Sequence, residues 1–162
     1  MKKTLLVYYS RTGTTEALAE GIQERLGCDM EVIIDQKNRD GFFGNLCGGL
    51  DALLERQTLI KPPTHDPAGY DRVIIGTPVW YGNLTPAVRT WLCRHTNEEP
   101  RFKTAFFCTF AGGGNERAAK KFMGLVKSKC GAVLSIQKGE DDETIKNKIG
   151  IFTDSLAAAT KD

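Results

Sequence analysis

The sequence predicts an α/β fold, a three-layer, doubly wound sandwich built on a five-stranded parallel sheet. Five short β-prone runs alternate along the chain with segments of helical periodicity. Such alternation is typical of parallel sheets with right-handed crossovers. The first run, from Thr4 to Tyr9, is continuously β-prone rather than alternating between apolar and polar. It therefore suits a strand that is buried on both faces of the sheet.

The remaining elements follow the same alternation. After the first strand, apolar residues at helical spacing predict a helix that ends at Gly27, and glycine is favoured just beyond helix ends. Further strands are predicted over residues 30–34, 70–76, 102–109 and 132–137, with helices after the third, fourth and fifth. The last helix is indicated by apolar residues at alternating spacings of four and three, from Ile145 to Ala159.

The connection between the second and third strands is less regular. It contains a predicted helix from about Asn45 to Arg56, in which Gly48 and Gly49 are each unfavourable by about 1 kcal/mol relative to alanine. We therefore expect a close backbone approach at these glycines. Just before this helix, the adjacent Phe42 and Phe43 are interpreted as core filling, with a dimer contact or a lid as alternatives.

Composition narrows the class of protein. A chain of 162 residues suits one domain, 1–162. The formal net charge of +2 comes from scattered basic residues and does not favour a nucleic-acid partner. Five cysteines without a C-x-x-C pair favour reduced thiols, and the first apolar stretch is too short for a signal peptide or a membrane span. We therefore expect a cytoplasmic protein, either a monomer or a homodimer.

The loop after the first strand is rich in hydroxyl groups, and ligands of such sheets bind beyond the carboxyl ends of the strands. Ser10, Thr12, Thr14 and Thr15 surround Gly13 where a helix is predicted to start. Helix N-termini attract anions, and hydroxyls donate hydrogen bonds to phosphate oxygens. The patterns G-x-x-x-x-G-K-[ST] and G-x-G-x-x-G are absent from this loop. A phosphate site of another kind is predicted, with helix capping as the alternative for one or two hydroxyls.

Two further loops, after the third and fourth predicted strands, suit a flat ligand. The second loop consists of Thr77, Pro78, Val79, Trp80, Tyr81, Gly82 and Asn83. Adjacent Trp and Tyr at a sheet edge have little core to fill, so they favour stacking on a planar partner, with packing on a neighbouring helix as the alternative. The third loop, from Phe110 to Asn115, contains three glycines in a row. They form either a flexible turn or a backbone that passes close to the ligand.

Together these loops resemble those of the flavodoxin family. The run Ser10-x-Thr12-Gly13-x-Thr15 is similar to its phosphate loop, the second loop to its second flavin loop, and Phe110 to Gly114 to its third. The likeness spans the chain strand for strand and matches the short-chain form. It implies the strand order 2-1-3-4-5, non-covalent FMN and no metal.

The resemblance also implies roles for individual residues. The cofactor-binding set comprises Ser10, Arg11, Thr12, Gly13, Thr14, Thr15, the whole second loop, Phe110, Ala111, Gly112 and Gly113. The first loop would hold the FMN phosphate and Trp80 would cover one face of the flavin. The peptide from Tyr81 to Asn83 would meet flavin N5, and third-loop amides would meet the pyrimidine edge. No catalytic side chain is implied, because the flavin carries the chemistry.

Two departures from the family pattern leave the activity open. Typical flavodoxins are strongly acidic, whereas here the net charge is +2 and Arg11 enters the phosphate loop. The third loop has glycines where many flavodoxins carry a stacking tyrosine, although Phe110 could substitute. The first hypothesis is an FMN protein that carries electrons between partner proteins. The alternatives are an FMN-dependent NAD(P)H:quinone or flavin reductase acting on small molecules and a binding module that has lost the flavin.

Overall fold

The β-prone runs form one parallel sheet. The computed structural model describes residues 3–37, 41–96, 98 and 100–159, with only the backbone at 41–43, 45 and 46. The strands are β1 (Thr4–Tyr8), β2 (Asp29–Val32), β3 (Arg72–Pro78), β4 (Lys103–Phe110) and β5 (Cys130–Gln137). The helices are α1 (Thr14–Leu26), α2 (Gly41–Leu53), α3 (Pro86–His95), α4 (Asn115–Leu125) and α5 (Asp142–Ala158), with a single 3₁₀ turn at Pro67–Gly69.

The strand order is β2-β1-β3-β4-β5 and every pairing is parallel. Successive side chains of a strand point to opposite faces. Leu5 and Val7 of β1 therefore join the core under α3 and α4, whereas Leu6 and Tyr8 join the core under α1 and α5. Helices thus cover both faces, and the predicted three-layer, doubly wound fold with its 2-1-3-4-5 order is confirmed. No helix in the described residues is long and apolar enough to cross a membrane.

Element boundaries differ slightly from those predicted. β3 begins and ends two residues later than predicted, at Arg72 and Pro78, so the second loop begins inside the strand. α2 begins at Gly41 rather than near Asn45, so Phe42 and Phe43 lie within it rather than before it. It ends at Leu53 rather than near Arg56, because Glu55 adopts a left-handed conformation with φ of 54°. The Arg56 N–H then donates to the Asp51 carbonyl at 2.8 Å and closes the helix end.

The close approach expected at the α2 glycines is present at Gly49. The Tyr81 ring of the second loop lies against it, and a Cβ atom built at this position would be 2.3 Å from Tyr81 Cε2. A side chain at residue 49 would therefore displace the tyrosine. The expectation for Phe42 and Phe43 concerns side chains that lie outside the described part of the structure.

Candidate functional site

The three predicted loops meet at the carboxyl edge of β1, β3 and β4, where they enclose a cleft of about 190 Å³. Its lining consists of Arg11, Thr12, Thr14, Thr15, Pro78, Val79, Trp80, Thr109, Phe110, Ala111 and Lys138. All three loops contribute to this set. The cleft is therefore the site to which the parallel topology brings these distant segments.

One end of the cleft is the start of α1. Its N-cap is Gly13, with φ of 86°, a conformation that disfavours other residues, and no side chain caps the helix. The Ser10 hydroxyl accepts a hydrogen bond from the Gly13 N–H at 3.2 Å and so shapes the turn. The first N–H groups of a helix have no partner within the helix, and they carry its positive dipole end. The start of α1 is therefore suited to an anion.

A buried hydrogen bond joins the first loop to the end of β4. The hydroxyl groups of Thr15 and Thr109 are 2.8 Å apart, and both residues are almost completely buried. Thr12 and Thr14, by contrast, are exposed at the cleft. Thr15 thus ties α1 to the end of β4, while Thr12 and Thr14 present free surface to a ligand.

The other end of the cleft is aromatic. Trp80 is half-buried, and its ring is nearly perpendicular to that of Tyr9, with ring centroids 5.9 Å apart. The guanidinium carbon of Arg11 lies 5.5 Å from the centre of the Trp80 ring, within the range of a cation–π contact. Arg11 therefore reaches the aromatic end of the cleft as well as the first loop.

A tight turn follows Trp80. Its N–H donates to the Asn83 carbonyl at 3.1 Å, and the Asn83 N–H donates to the Trp80 carbonyl at 3.0 Å. The two central residues, Tyr81 and Gly82, both have positive φ, as a type I′ turn requires. For Tyr81 this conformation is unfavourable by about 1–2 kcal/mol. The turn leaves the Tyr81 side chain 67% exposed beside the cleft.

The second and third loops touch through glycine backbones. A Cβ atom built on Gly114 would lie 2.6 Å from the Gly82 Cα, so this contact tolerates no side chain. From Ala111 to Gly114 the third loop is exposed. Its position is set by Phe110, whose carbonyl accepts a hydrogen bond from the Lys138 N–H at 2.7 Å.

The structure does not place all of the predicted residues in the lining. Ser10, Gly13, Thr77, Tyr81, Gly82, Asn83, Gly112 and Gly113 do not line the cleft. Thr77 is fully buried, and its hydroxyl lies 3.1 Å from that of Thr85. Asn83 is also fully buried, and within the described residues its Oδ1 has no hydrogen-bond partner. These two residues therefore support the second loop from behind.

Sequence reasoning missed two residues of the lining, Thr109 and Lys138. Both stand at carboxyl ends of strands, at the edge where the cleft lies, and this position was the available signal. Lys138 changes the electrostatics, because with Arg11 it gives the lining two cations and none of the lining residues is acidic. The cleft therefore attracts negative charge.

Two ionisable residues beside the cleft stay neutral near pH 7. Burial, together with the hydrogen bond to Glu16, raises the pKa of Tyr8 to about 12. Burial also raises the pKa of the Cys108 thiol to about 11. Neither group is suited to proton transfer at neutral pH. In the described residues, no group of three or more His, Cys, Asp or Glu side chains is arranged to hold a metal ion.

Comparison with solved structures finds the same fold along nearly the whole chain. A flavoprotein from Lactobacillus acidophilus NCFM, solved in complex with FMN, is 22% identical with a TM-score of 0.75, over 94% of this chain and 99% of that one. Flavodoxin 2 from Bacillus cereus is 19% identical with a TM-score of 0.67, over 97% and 99%. A WrbA-like flavodoxin from Agrobacterium tumefaciens is 14% identical with a TM-score of 0.65, over 99% of each chain.

No protein-family model matches the sequence. The structural likeness covers nearly the full length of the three proteins, and the strand order of the sheet is the flavodoxin-like order 2-1-3-4-5. The chain therefore has the flavodoxin-like fold.

Proposed function

We propose that the cleft binds FMN non-covalently and that the protein carries electrons between partner proteins. One observation carries this proposal. The uncapped start of α1 and the half-buried Trp80 ring lie in the same cleft, one suited to a phosphate and the other to a flat ring. FMN combines these two chemical features, and when bound it would supply the electron-transfer chemistry.

The phosphate end fits the residues present. Thr12 and Thr14 are exposed there and can donate hydroxyl hydrogen bonds, in addition to the first backbone N–H groups of α1. Arg11 and Lys138 add positive charge, which favours a phosphate dianion. We assign these groups to the phosphate.

The ring end fits a flavin for a different reason. Trp80 offers an aromatic surface at the mouth of the cleft. The backbone hydrogen bonds of the following turn use Trp80 and Asn83, so the turn itself engages neither the N–H nor the carbonyl of Gly82, which lies just beyond the lining of the cleft. We assign the peptide around Gly82 to the polar edge of the flavin and the exposed third-loop amides to its pyrimidine side.

Similar proteins support the cofactor. The Lactobacillus acidophilus flavoprotein was solved in complex with FMN, and the Bacillus cereus protein is described as an oxidised flavodoxin.

The five cysteines are all free thiols in the structure, which fits a reducing compartment such as the cytoplasm.

The test of FMN binding is reconstitution. Purified protein should bind one equivalent of FMN and quench its fluorescence, and ultrafiltration after heat denaturation should release the flavin intact. Protein that neither binds FMN nor changes its emission would contradict the proposal.

A second candidate function is reduction of a small-molecule quinone by NAD(P)H. The exposed third loop favours it, because the side chains beyond Phe110 are no larger than a methyl group as far as Gly114 and leave this side of the cleft open. Steady-state oxidation of NAD(P)H with a soluble quinone distinguishes the two functions. A carrier should show negligible turnover without a separate reductase, whereas sustained turnover by the pure protein would favour the reductase.

A further inference from the structure

The helix α2 turns its smallest residues towards the rest of the protein. Gly48, Gly49 and Ala52 are buried, whereas Leu50 and Leu53 of the same helix are exposed. A helix on the surface of a protein normally buries its large apolar side chains instead. The inner face of α2 is therefore suited to a close approach by another part of the chain.

The part of the chain that approaches this face is the second loop. Three atoms of the Tyr81 ring, Cε2, Cδ2 and Cζ, would lie 2.3, 3.0 and 3.3 Å from a Cβ atom at Gly49. The ring thus occupies the space that a side chain at residue 49 would need. Glycine is the residue that leaves this space free.

The tyrosine that makes this contact has an unfavourable backbone conformation. Tyr81 has φ of 51° and occupies the first central position of the type I′ turn. Such positions favour Gly, Asn and Asp, because other side chains crowd their own backbone there. The Tyr81 carbonyl accepts a hydrogen bond from Asn83 Nδ2 at 3.4 Å, and the ring lies on Gly49. In this conformation the turn and α2 are therefore in direct contact.

The next residue of the turn is held by a different part of the fold. A Cβ atom on Gly114 would lie 2.6 Å from the Gly82 Cα, and a Cβ atom on Gly82 would lie 3.1 Å from Arg117 Cδ. The turn is therefore packed against α2 at Tyr81 and against the third loop and α4 at Gly82.

The position of this turn matters for the cleft because Trp80 begins it. Trp80 lines the cleft, and its N–H and carbonyl make the two backbone hydrogen bonds that close the turn with Asn83. A shift of the turn would move the Trp80 backbone and, with it, the ring that we assign to the flavin.

We propose that Gly49 of α2 is a positioning residue of the flavin site. It leaves room for the Tyr81 ring, the ring contact fixes the turn, and the turn fixes the face that Trp80 presents to the flavin. This inference rests on the function proposed for the cleft. It adds α2 to the three loops as a fourth segment of the site.

The experiment combines Gly49→Ala with Tyr81→Gly, which removes the ring and suits the left-handed conformation. Titration of each full-length protein with FMN gives the dissociation constant, and the emission of the flavin at saturation reports its stacking on Trp80. Unfolding in urea without flavin gives the midpoint. Gly124→Ala on α4 is the matched control, because a Cβ atom there would meet nothing within 4 Å.

In the wild-type background, Gly49→Ala should displace the Tyr81 ring. It should weaken FMN binding by roughly two- to tenfold and raise the emission of the bound flavin, as expected for a partial loss of stacking. In the Tyr81→Gly background, Gly49→Ala should change neither quantity. A merely structural role of Gly49 would not alter the emission of flavin that is already bound.

The urea midpoints test the contact without the flavin. Gly49→Ala should raise the midpoint of the Tyr81→Gly protein, because alanine is favoured over glycine inside a helix. It should not raise the midpoint of the wild type, where the loss of the ring contact offsets this gain. Gly124→Ala should raise the midpoint in both backgrounds and leave FMN binding unchanged.

The proposal is overturned if Gly49→Ala leaves the FMN affinity and the emission of bound flavin at their wild-type values. It is equally overturned if Gly49→Ala changes them to the same extent with and without the Tyr81 ring. If Gly49→Ala does not fold, folding of the Gly49→Ala/Tyr81→Gly protein supports the proposal, and failure of both to fold contradicts it. A wild type that binds no FMN would instead reject the function assigned to the cleft, while the urea midpoints would still decide whether Gly49 holds Tyr81.

Discussion

Two helices of this protein begin in opposite ways. α5 begins at Asp141, whose carboxylate accepts hydrogen bonds from the Thr144 N–H at 2.9 Å and from the Thr144 hydroxyl at 2.7 Å. Its first turn also carries Asp142 and Glu143. α1 begins at Gly13 and has no side-chain cap.

We propose that this difference reflects a ligand at the start of α1. α5 answers its positive dipole end with a capping carboxylate and two more in its first turn. The first turn of α1 carries one carboxylate, Glu16, which accepts a hydrogen bond from the Tyr8 hydroxyl, and the loop before it offers neutral hydroxyls and Arg11. The same backbone geometry thus serves stability at α5 and, as we propose, phosphate binding at α1.

The largest effect is expected when the hydroxyls of the first loop are removed. Replacing Thr12 and Thr14 together by valine should weaken FMN binding by about 10²–10⁴-fold, since each hydrogen bond to a charged group contributes about 1.5–3 kcal/mol and 1.4 kcal/mol is tenfold. Fluorescence titration measures the dissociation constant.

A separate variant distinguishes the loss of phosphate contacts from a loss of stability. Thr15→Val leaves the buried Thr109 hydroxyl without its partner, so it should lower the free energy of unfolding of the flavin-free protein by about 1 kcal/mol. Thr12→Val, at an exposed position, should leave that free energy unchanged. Unaltered FMN affinity in the double variant would place the phosphate elsewhere.

Removal of the Trp80 ring should weaken FMN binding less than the loss of the threonine hydroxyls does. Trp80→Ala should weaken FMN binding by roughly two- to tenfold, because stacking between rings contributes about 0.5–1.5 kcal/mol beyond area burial. Flavin fluorescence should recover in part, and the absorption spectrum should shift. Trp80→Phe is the matched control and should retain most of the quenching. A Trp80→Ala protein with wild-type spectrum and emission would remove this residue from the flavin site.

Arg11 should have a modest effect on the reduction potential of bound FMN. A charge near the reduced ring contributes about 1 kcal/mol at high effective dielectric, which corresponds to roughly 40 mV for one electron. Arg11→Gln should therefore lower the potential, and the wild-type potential should be less negative than that of acidic flavodoxins. Spectroelectrochemical titration of both proteins measures this, with Arg94→Gln on α3 as the control. The same potential in Arg11→Gln and in the wild type would show that the charge of Arg11 does not affect the bound flavin.

The smallest effect is expected at α5. The hydrogen bonds from the Thr144 backbone N–H and hydroxyl hold the pKa of Asp141 below its ordinary value. A lowered pKa in the folded state stabilises the protein above the unfolded-state pKa of about 3.9, and this stability is lost as the pH falls through the folded value. Asp141→Asn should thus be slightly less stable in urea at pH 7, and its difference from the wild type should shrink as the pH is lowered. The FMN affinity of Asp141→Asn should not change. A loss of affinity in this variant would contradict the claim that only the start of α1, and not that of α5, serves the ligand.

Local patterns were sufficient to predict the fold and the three loops. Each buried strand appears in the sequence as its own apolar run, so the strands can be recognised one by one without knowledge of their contacts. The hydroxyl residues of the first loop also lie close together in the sequence. Contacts across the fold were not predictable in this way. Thr15 and Thr109 are 94 positions apart, and nothing in the sequence near either residue indicates their hydrogen bond.

Arg89 illustrates the same limit. In sequence it is a charged residue beside Val88 on a predicted helix, a position that usually faces solvent. In the structure its side chain is only 7% exposed, and Glu55, which has a left-handed conformation just beyond α2, lies 3.4 Å from its Nη1. A helix end of this kind is set by tertiary packing rather than by residue type, so the burial and the ion pair of Arg89 could be found only in the structure.

The most direct test of the central claim compares the affinities of FMN and riboflavin, which differ only in the phosphate. We expect the wild type to bind FMN at least about 100-fold more tightly than riboflavin, from two or more hydrogen bonds to a charged group. In Thr12→Val/Thr14→Val the ratio should fall towards one, whereas in Asp141→Asn it should stay at the wild-type value. Equal affinity of the wild type for both flavins, or the same ratio in the threonine variant, would contradict the assignment of the α1 N-terminus to phosphate.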